Sequence, residues 1–231
     1  MLGCFCLIST GQNFAQPSRF SSNKFINEKG DTLNYRLLSP DYNTSRKYPL
    51  VIFLHGSGER GKDNDAQLKW GVMNFATDQM MVLHPAIVVA PQCPEKQDWT
   101  KSMDILYQLI QKLLKDSPVD VSRIYITGIS MGGFGTFEAI SRYPDLFAAA
   151  VPVCGGGDLK KAPLFAHMPM WIFAGAEDPA VNPQLSFSMV DAITKAGGHP
   201  GFTQYPEVGH FSWLAAYSDP HMMEWLFRQH K

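Results

Sequence analysis

Arg123-Ile124-Tyr125-Ile126-Thr127-Gly128-Ile129-Ser130-Met131-Gly132-Gly133 decides how the whole chain is read. Its first seven residues, mostly β-branched or aromatic, predict a strand over Arg123 to Ile129, and the segment from Gly133 to Arg142 reads as the helix that follows. Ser130 therefore sits on a tight strand-to-helix turn. Gly128 and Gly132, two residues before and two after it, let strand and helix approach without a Cβ clash. A Gly-Ser-rich turn can also do no more than cap a helix. What separates the two uses is whether the rest of the chain supplies a base and an orienting acid, because a serine hydroxyl alone is a poor nucleophile at neutral pH.

Outward from this turn the pattern alternates. Toward the N-terminus, Phe20 to Glu28 and Thr32 to Leu38 read as two strands around Lys29-Gly30-Asp31, a turn of hairpin length. Leu50 to Leu54 and Ala86 to Ala90 are continuous apolar runs of the kind buried on both faces of a parallel sheet. Met103 to Leu114 carries helical spacing and stops at Asp116-Ser117-Pro118. Beyond the turn come strands at Ala148 to Val153, Met170 to Ala174 and Phe202 to Tyr205, with helices at Pro183 to Ala196 and Pro220 to Gln229. Strands alternating with helices predict an α/β fold: a mostly parallel central sheet with an antiparallel N-terminal edge, helices on both faces and no large lid.

Composition sets the limits. The 231 residues are 45% hydrophobic, enough for one core and one catalytic domain, expected over residues 17–231. Lys and Arg total 20 against 21 for Asp and Glu, and without a basic run no nucleic-acid partner is expected. No stretch reaches the roughly 18 consecutive apolar residues of a membrane span. Residues 1–16 contain no charged side chain and resemble a clipped signal peptide, which predicts a periplasmic or secreted protein. The alternative is a disordered leader on a cytoplasmic one, and Leu2-Gly3-Cys4 also resembles the end of a lipoprotein signal. Of four cysteines, Cys4 and Cys6 fall in that leader. Cys93 and Cys154 form no disulfide framework, read as buried small hydrophobes, and leave a single bridge between them open. No paired Cys or His spacing suggests zinc.

Among seven histidines, His210 lies after the last predicted strand and before the last helix, the slot a general base requires here. Gly209 before it permits an unusual backbone conformation. For the acid, Asp178 is preferred in Gly175-Ala176-Glu177-Asp178-Pro179, the loop at the C-terminal end of a strand where such sheets place functional groups. Glu177 and Asp158 are its rivals, and a turn-capping role before Pro179 is the plainer use of Asp178. Leu54-His55-Gly56-Ser57-Gly58-Glu59-Arg60-Gly61 supplies a Gly-rich loop after a strand. It lacks the G-x-x-x-x-G-K-[ST] and G-x-G-x-x-G arrangements of nucleotide-binding loops. Its Ser57 N–H, with Gly58 the close alternative, and the Met131 N–H are candidate oxyanion donors, while His55 is read as a brace for the loop.

Leu54 to Gly61, Ala90-Pro91-Gln92-Cys93-Pro94 with Trp99 following, the Ser130 turn, Ala174 to Val181 and Tyr205 to Trp213 together resemble α/β-hydrolases. More narrowly, they resemble the compact esterases and predicted peptidases related to polyhydroxybutyrate depolymerases and feruloyl esterases. The resemblance covers the chain from about Phe20 onward. It implies Ser130, Asp178 and His210 as a catalytic triad, Ser57 and Met131 as the oxyanion hole, and Trp99 and Trp213 as residues lining the acyl or alcohol pocket, although packing at the rim of the core is an equal use for both tryptophans. Dienelactone hydrolases share the fold but use cysteine where this chain has Ser130. The implied reaction is hydrolysis of a small or polymer-attached carboxylic ester, of carbohydrate or of an aromatic acid, with no metal or organic cofactor. A serine peptidase or aminopeptidase and a non-catalytic binding protein are the alternatives. Oligomeric state is left open.

Overall fold

The hairpin at the N-terminal edge forms because Asn27 organises its turn. The Asn27 side-chain oxygen accepts the N–H groups of Lys29 and Asp31 (3.0 and 2.8 Å), and Gly30 takes φ = +82°, a region that favours glycine. This pairs β1 (Phe20–Ile26) antiparallel with β2 (Thr32–Leu38), and β2 in turn lies antiparallel to β4 (Ile87–Gln92). The computed structural model describes residues 16–40 and 45–231, so the leader reading, Cys4 and Cys6 lie outside the described residues apart from Gln16.

From β4 onward every pairing is parallel. With β3 (Tyr48–Leu54), β5 (Val119–Ile129), β6 (Ala149–Val153), β7 (Trp171–Gly175) and β8 (Gly201–Tyr205), the sheet runs β1-β2-β4-β3-β5-β6-β7-β8. Seven consecutive residues of β3 are buried, and its side chains divide between two cores. Leu50, Ile52 and Leu54 face one core, filled by α2 (Met103–Asp116), α3 (Met131–Arg142), α4 (Ala162–Phe165) and α5 (Gln184–Lys195). Val51 and Phe53 face the other, filled by α6 (Trp213–Ser218), α7 (Pro220–Arg228) and the irregular segment around Leu68, Val72 and Phe75. This two-sided cover is why the strand reads as an unbroken apolar run. No helix among the described residues is long and apolar enough to cross a membrane.

Most element boundaries shift by one or two residues from expectation, and β5 shifts furthest. β5 begins at Val119 rather than Arg123, because a register shift between Tyr48 and Leu50 brings Tyr48 beside Val119. β4 extends to Gln92, where Pro91 and Gln92 pair with Tyr35 and Asn34. Two six-residue helices were also not foreseen: α1 (Asp78–Leu83), whose N-terminus is capped by the Thr77 hydroxyl accepting Met80 N–H at 3.2 Å, and α6. Neither is long enough to show periodicity.

The crossing of α3 over β5 and β3 depends on two glycines. A Cβ on Gly128 would lie 2.4 Å from the Gly132 carbonyl oxygen, and one on Gly132 would lie 1.9 Å from the Leu54 carbonyl oxygen. Both obstacles are backbone and cannot swing aside. Gly132→Ala is therefore expected to cost about 3 kcal/mol or more, at the upper end of overpacking penalties, in a urea or thermal unfolding experiment. A variant within 1 kcal/mol of the parent on that order-of-magnitude scale would show that α3 can tilt away freely.

Candidate active site

The turn that joins β5 to α3 holds Ser130 at φ = +53°, ψ = −116°, a backbone conformation that non-glycine residues seldom adopt and that recurs at functional sites. The conformation is pinned from both sides. Ser130 N–H donates to the Val153 carbonyl at 3.0 Å, and the Ser130 carbonyl accepts Phe134 N–H at 3.1 Å. The hydroxyl is left pointing out of the turn at the N-terminal end of α3. There the Met131 amide, as the first helical residue, has no intrahelical carbonyl to bond.

His210 reaches Ser130 from the loop after β8. Its Nε2 lies 3.0 Å from Ser130 Oγ, and its Nδ1 lies 2.7 Å from Asp178 Oδ2. With the ring protonated on Nδ1, the imidazole donates to Asp178 and accepts from the Ser130 hydroxyl, a continuous chain of three groups. Asp178, on the loop after β7, has a fully enclosed side chain, 1% exposed. Its Oδ1 accepts Ala180 and Val181 N–H (2.8 and 2.9 Å), so the carboxylate shapes its own turn with one oxygen and holds His210 with the other. The turn-capping use and the partner-to-His210 use are thus both present. Its rivals stand apart: Glu177 is exposed, and Asp158 is exposed and caps the short turn that follows it by accepting Lys160 N–H.

Gly209 stays out of the left-handed region that glycine permits. It sits at φ = −82°, ψ = −147°, and a Cβ there would meet nothing closer than 3.7 Å. The left-handed residue of this loop is Glu207, at φ = +57°. A short polar turn ending β8, rather than a glycine hinge, delivers His210.

His55 is a brace. Buried at the end of β3, its Nδ1–H donates to the Gly56 carbonyl (2.6 Å), its Nε2 accepts Cys93 N–H (2.9 Å), and its carbonyl accepts the Trp99 indole N–H (3.0 Å). Burial pulls its pKa down from 6.5 to about 4, so the folded protein carries it neutral. Between those values the unfolded chain binds a proton that the folded chain refuses, and stability falls as pH drops, by up to ~1.4 kcal/mol per pH unit. Melting curves at pH 7 and pH 5 are expected to show this loss. His55→Gln should lower stability at pH 7 yet flatten the dependence, and an unchanged slope would remove His55 as its source.

Two cavities meet at Ser130. One, of about 340 Å³, is lined by Asp98, Trp99, Thr100, Met131, Phe134 and Gly135. The other, of about 260 Å³, is bounded by Gly56, Ser57, Gly58 and Glu59 on one side and Trp70, His210, Phe211 and Trp213 on the other. Trp99 and Trp213 thus line different cavities that share Ser130, and both are also packed into the core. Trp213 stands edge-on to the His210 ring at 5.1 Å. Arg60 Nε donates to Met131 Sδ (3.2 Å) and links the Gly-rich loop to the first residue of α3. Trp70 and Phe211, 5.6 Å apart edge-to-face, were not singled out from sequence. Trp70 comes from an irregular segment with no periodic signal, whereas Phe211 could have been suspected from its place beside His210.

Cys93 and Cys154 are free and buried. Cys154 Sγ, with Asp178 and His210, forms a group of possible metal donors within 4.8 Å of one another. That group suits a metal poorly. The carboxylate and Nδ1 are already bonded to each other, and burial pushes the Cys154 thiol up to about 12, keeping it protonated.

The sequence profile of the dienelactone hydrolase family matches residues 88–220. The chain is 29% identical over 117 residues to poly(3-hydroxyalkanoate) depolymerase C of Paucimonas lemoignei, spanning 47% of this chain and 28% of that one. It is 24% identical to the bifunctional acetylxylan esterase/xylanase XynS20E of Neocallimastix patriciarum, over 70% of this chain and 24% of the other. It therefore spans about a quarter of the length of these two curated relatives. A crystal structure of a thermostable esterase superposes with a TM-score of 0.90 at 38% identity, covering 93% of this chain and 64% of that one. Acylaminoacyl peptidase from Pyrococcus horikoshii, at 18% identity and TM-score 0.71 over 92% of this chain and 42% of its own, shares the fold alone. Its eight-stranded sheet, antiparallel edge and serine turn accord with that profile, and this chain belongs to the dienelactone hydrolase family of α/β-hydrolases.

Proposed function

We propose that the chain is a serine esterase in which Ser130 is the nucleophile, His210 the general base and Asp178 the group that orients and charge-balances His210. The observation that carries this reading is the unbroken contact chain, 3.0 Å from Ser130 Oγ to His210 Nε2 and 2.7 Å from His210 Nδ1 to Asp178 Oδ2. Ser130 Oγ attacks the ester carbonyl carbon as its proton passes to His210 Nε2. The carbonyl oxygen becomes an oxyanion that the amides of Met131 and Ser57, or Gly58 in place of Ser57, stabilise. Collapse breaks the carbon–oxygen bond to the alcohol, which leaves with the proton from His210. Water, deprotonated by the same histidine, then attacks the acyl-enzyme and regenerates Ser130. No metal or organic cofactor enters these steps.

The proton route assigns the two cavities. An alcohol that takes its proton from His210 must leave on the His210 side, between the Gly-rich loop and the wall of Trp70, Phe211 and Trp213. The acyl group then occupies the more apolar cavity of Trp99, Met131 and Phe134. Aromatic faces next to the charged Glu59 and Lys69 suit a ring with an apolar face and a polar rim. This favours an ester of a carbohydrate, and esterase relatives of depolymerase and acetylxylan esterase type agree with a small or polymer-attached ester. Hydrolysis of a short p-nitrophenyl ester beside an aminoacyl p-nitroanilide tests the reading. Turnover of the ester with none of the anilide is expected, and an anilide kcat/KM equal to that of the ester would put a peptidase in its place.

A further inference from the structure

One buried charge beside the oxyanion loop has no part in proton transfer. Glu59 is only 7% exposed, yet it faces the cavity that contains Ser57, Ser130 and His210. Carboxylates are rarely buried without strong partners. Burial leaves the Glu59 pKa raised, while the nearby N–H of Gly56, the indole N–H of Trp70 and the positive charge of Lys69 all act in the opposite direction, as groups that favour the carboxylate. Its Oε2 lies 3.1 Å from the place a Cβ on Gly56 would occupy, so the carboxylate fills the space beside the loop backbone at Gly56 and Trp70 lines the same cavity.

The loop needs such a tether. Ser57 is flanked by Gly56 and Gly58, the two residues with most backbone freedom, and the hydrogen bond closing the turn, Glu59 N–H to the Gly56 carbonyl, is long at 3.4 Å. An oxyanion donor is effective only if it is fixed before charge develops. We infer that Glu59 is a positioning residue for hydrolysis at Ser130: its carboxylate ties Gly56 to Trp70 and so holds the Ser57 amide in place for the oxyanion. This rests on the proposed esterase mechanism. It also makes Trp70 serve twice, as a wall of the alcohol cavity and as an anchor of the loop.

The test compares Glu59→Gln, Glu59→Asp, Trp70→Phe and Ser130→Ala with the parent, each assayed well below its melting temperature. It reads kcat and KM for a p-nitrophenyl ester and the inhibition constant of a trifluoromethyl ketone, whose adduct with serine carries the oxyanion. Gln keeps the shape but turns a donor toward donors. Glu59→Gln is expected to lower kcat about tenfold, a fraction of the loss from removing a whole oxyanion donor, with KM within about twofold and ketone affinity weakened in parallel. Asp, which keeps the acceptor, is expected to recover part of the rate, and Phe at position 70 to lose less than Gln at 59. Folded Glu59→Gln with kcat within about twofold of the parent, or a lower kcat with unaltered ketone affinity, would overturn the inference. Ester turnover retained by Ser130→Ala would instead overturn the mechanism on which it rests.

Discussion

Ser130→Ala is expected to lower kcat for a p-nitrophenyl ester by about a millionfold, leaving only the rate that an oxyanion hole and substrate binding sustain without a nucleophile. The size of the effect follows from what the hydroxyl does. It hydrogen-bonds to His210, so its loss removes the atom proposed to attack and little that supports the fold. The turn itself is held by backbone bonds from Ser130 N–H and to its carbonyl, which alanine keeps. Alanine at φ = +53° carries the same Cβ and the same strain as serine. Steady-state assays with a melting curve on the same sample check both halves. An intact fold with activity within about tenfold of the parent would mean that another group attacks the ester.

Asp178→Asn is expected to cost about 10⁴-fold in kcat, and the reason is specific to this loop. Oδ1 of Asp178 accepts two backbone donors, Ala180 and Val181 N–H, which an amide can satisfy only by turning its own oxygen toward them. The amide nitrogen is then forced to face His210 Nδ1. A donor at that position stabilises the imidazole tautomer with its proton on Nε2, where it can no longer accept from Ser130. The loop keeps its shape, so the melting temperature should change little. A loss of less than about tenfold would show that His210 holds its tautomer without Asp178.

The parts of this arrangement legible in the sequence are those whose geometry admits few residue types. β3 had to be apolar at every position because both faces are covered. Gly128 and Gly132 had to be glycine because backbone oxygens lie where a Cβ would stand. The order of serine, acid and histidine along the chain places Ser130, Asp178 and His210 at the ends of β5, β7 and β8, which the parallel sheet order sets on one rim. Other features were hidden because they depend on contacts between distant segments. Trp70 lies on a stretch without periodicity, and only the fold brings it against Phe211 and Trp213. The burial of Glu59 follows from that same wall and cannot be read from the loop sequence. Gly209 permits an unusual conformation beside His210, but the residue of that loop with positive φ is Glu207, which no residue-type rule singles out. The short helices α1 and α6 end before a period can repeat.

The most direct test of the central assignment is to treat the folded protein with a fluorophosphonate and map the adduct by mass spectrometry. A fluorophosphonate phosphonylates a serine, with loss of fluoride, only where a neighbouring base and an oxyanion site activate it. A single adduct on the peptide containing Ser130, absent from Asp178→Asn over the same exposure, is the result expected of the triad. An adduct on another residue, or none on the folded protein, would contradict it.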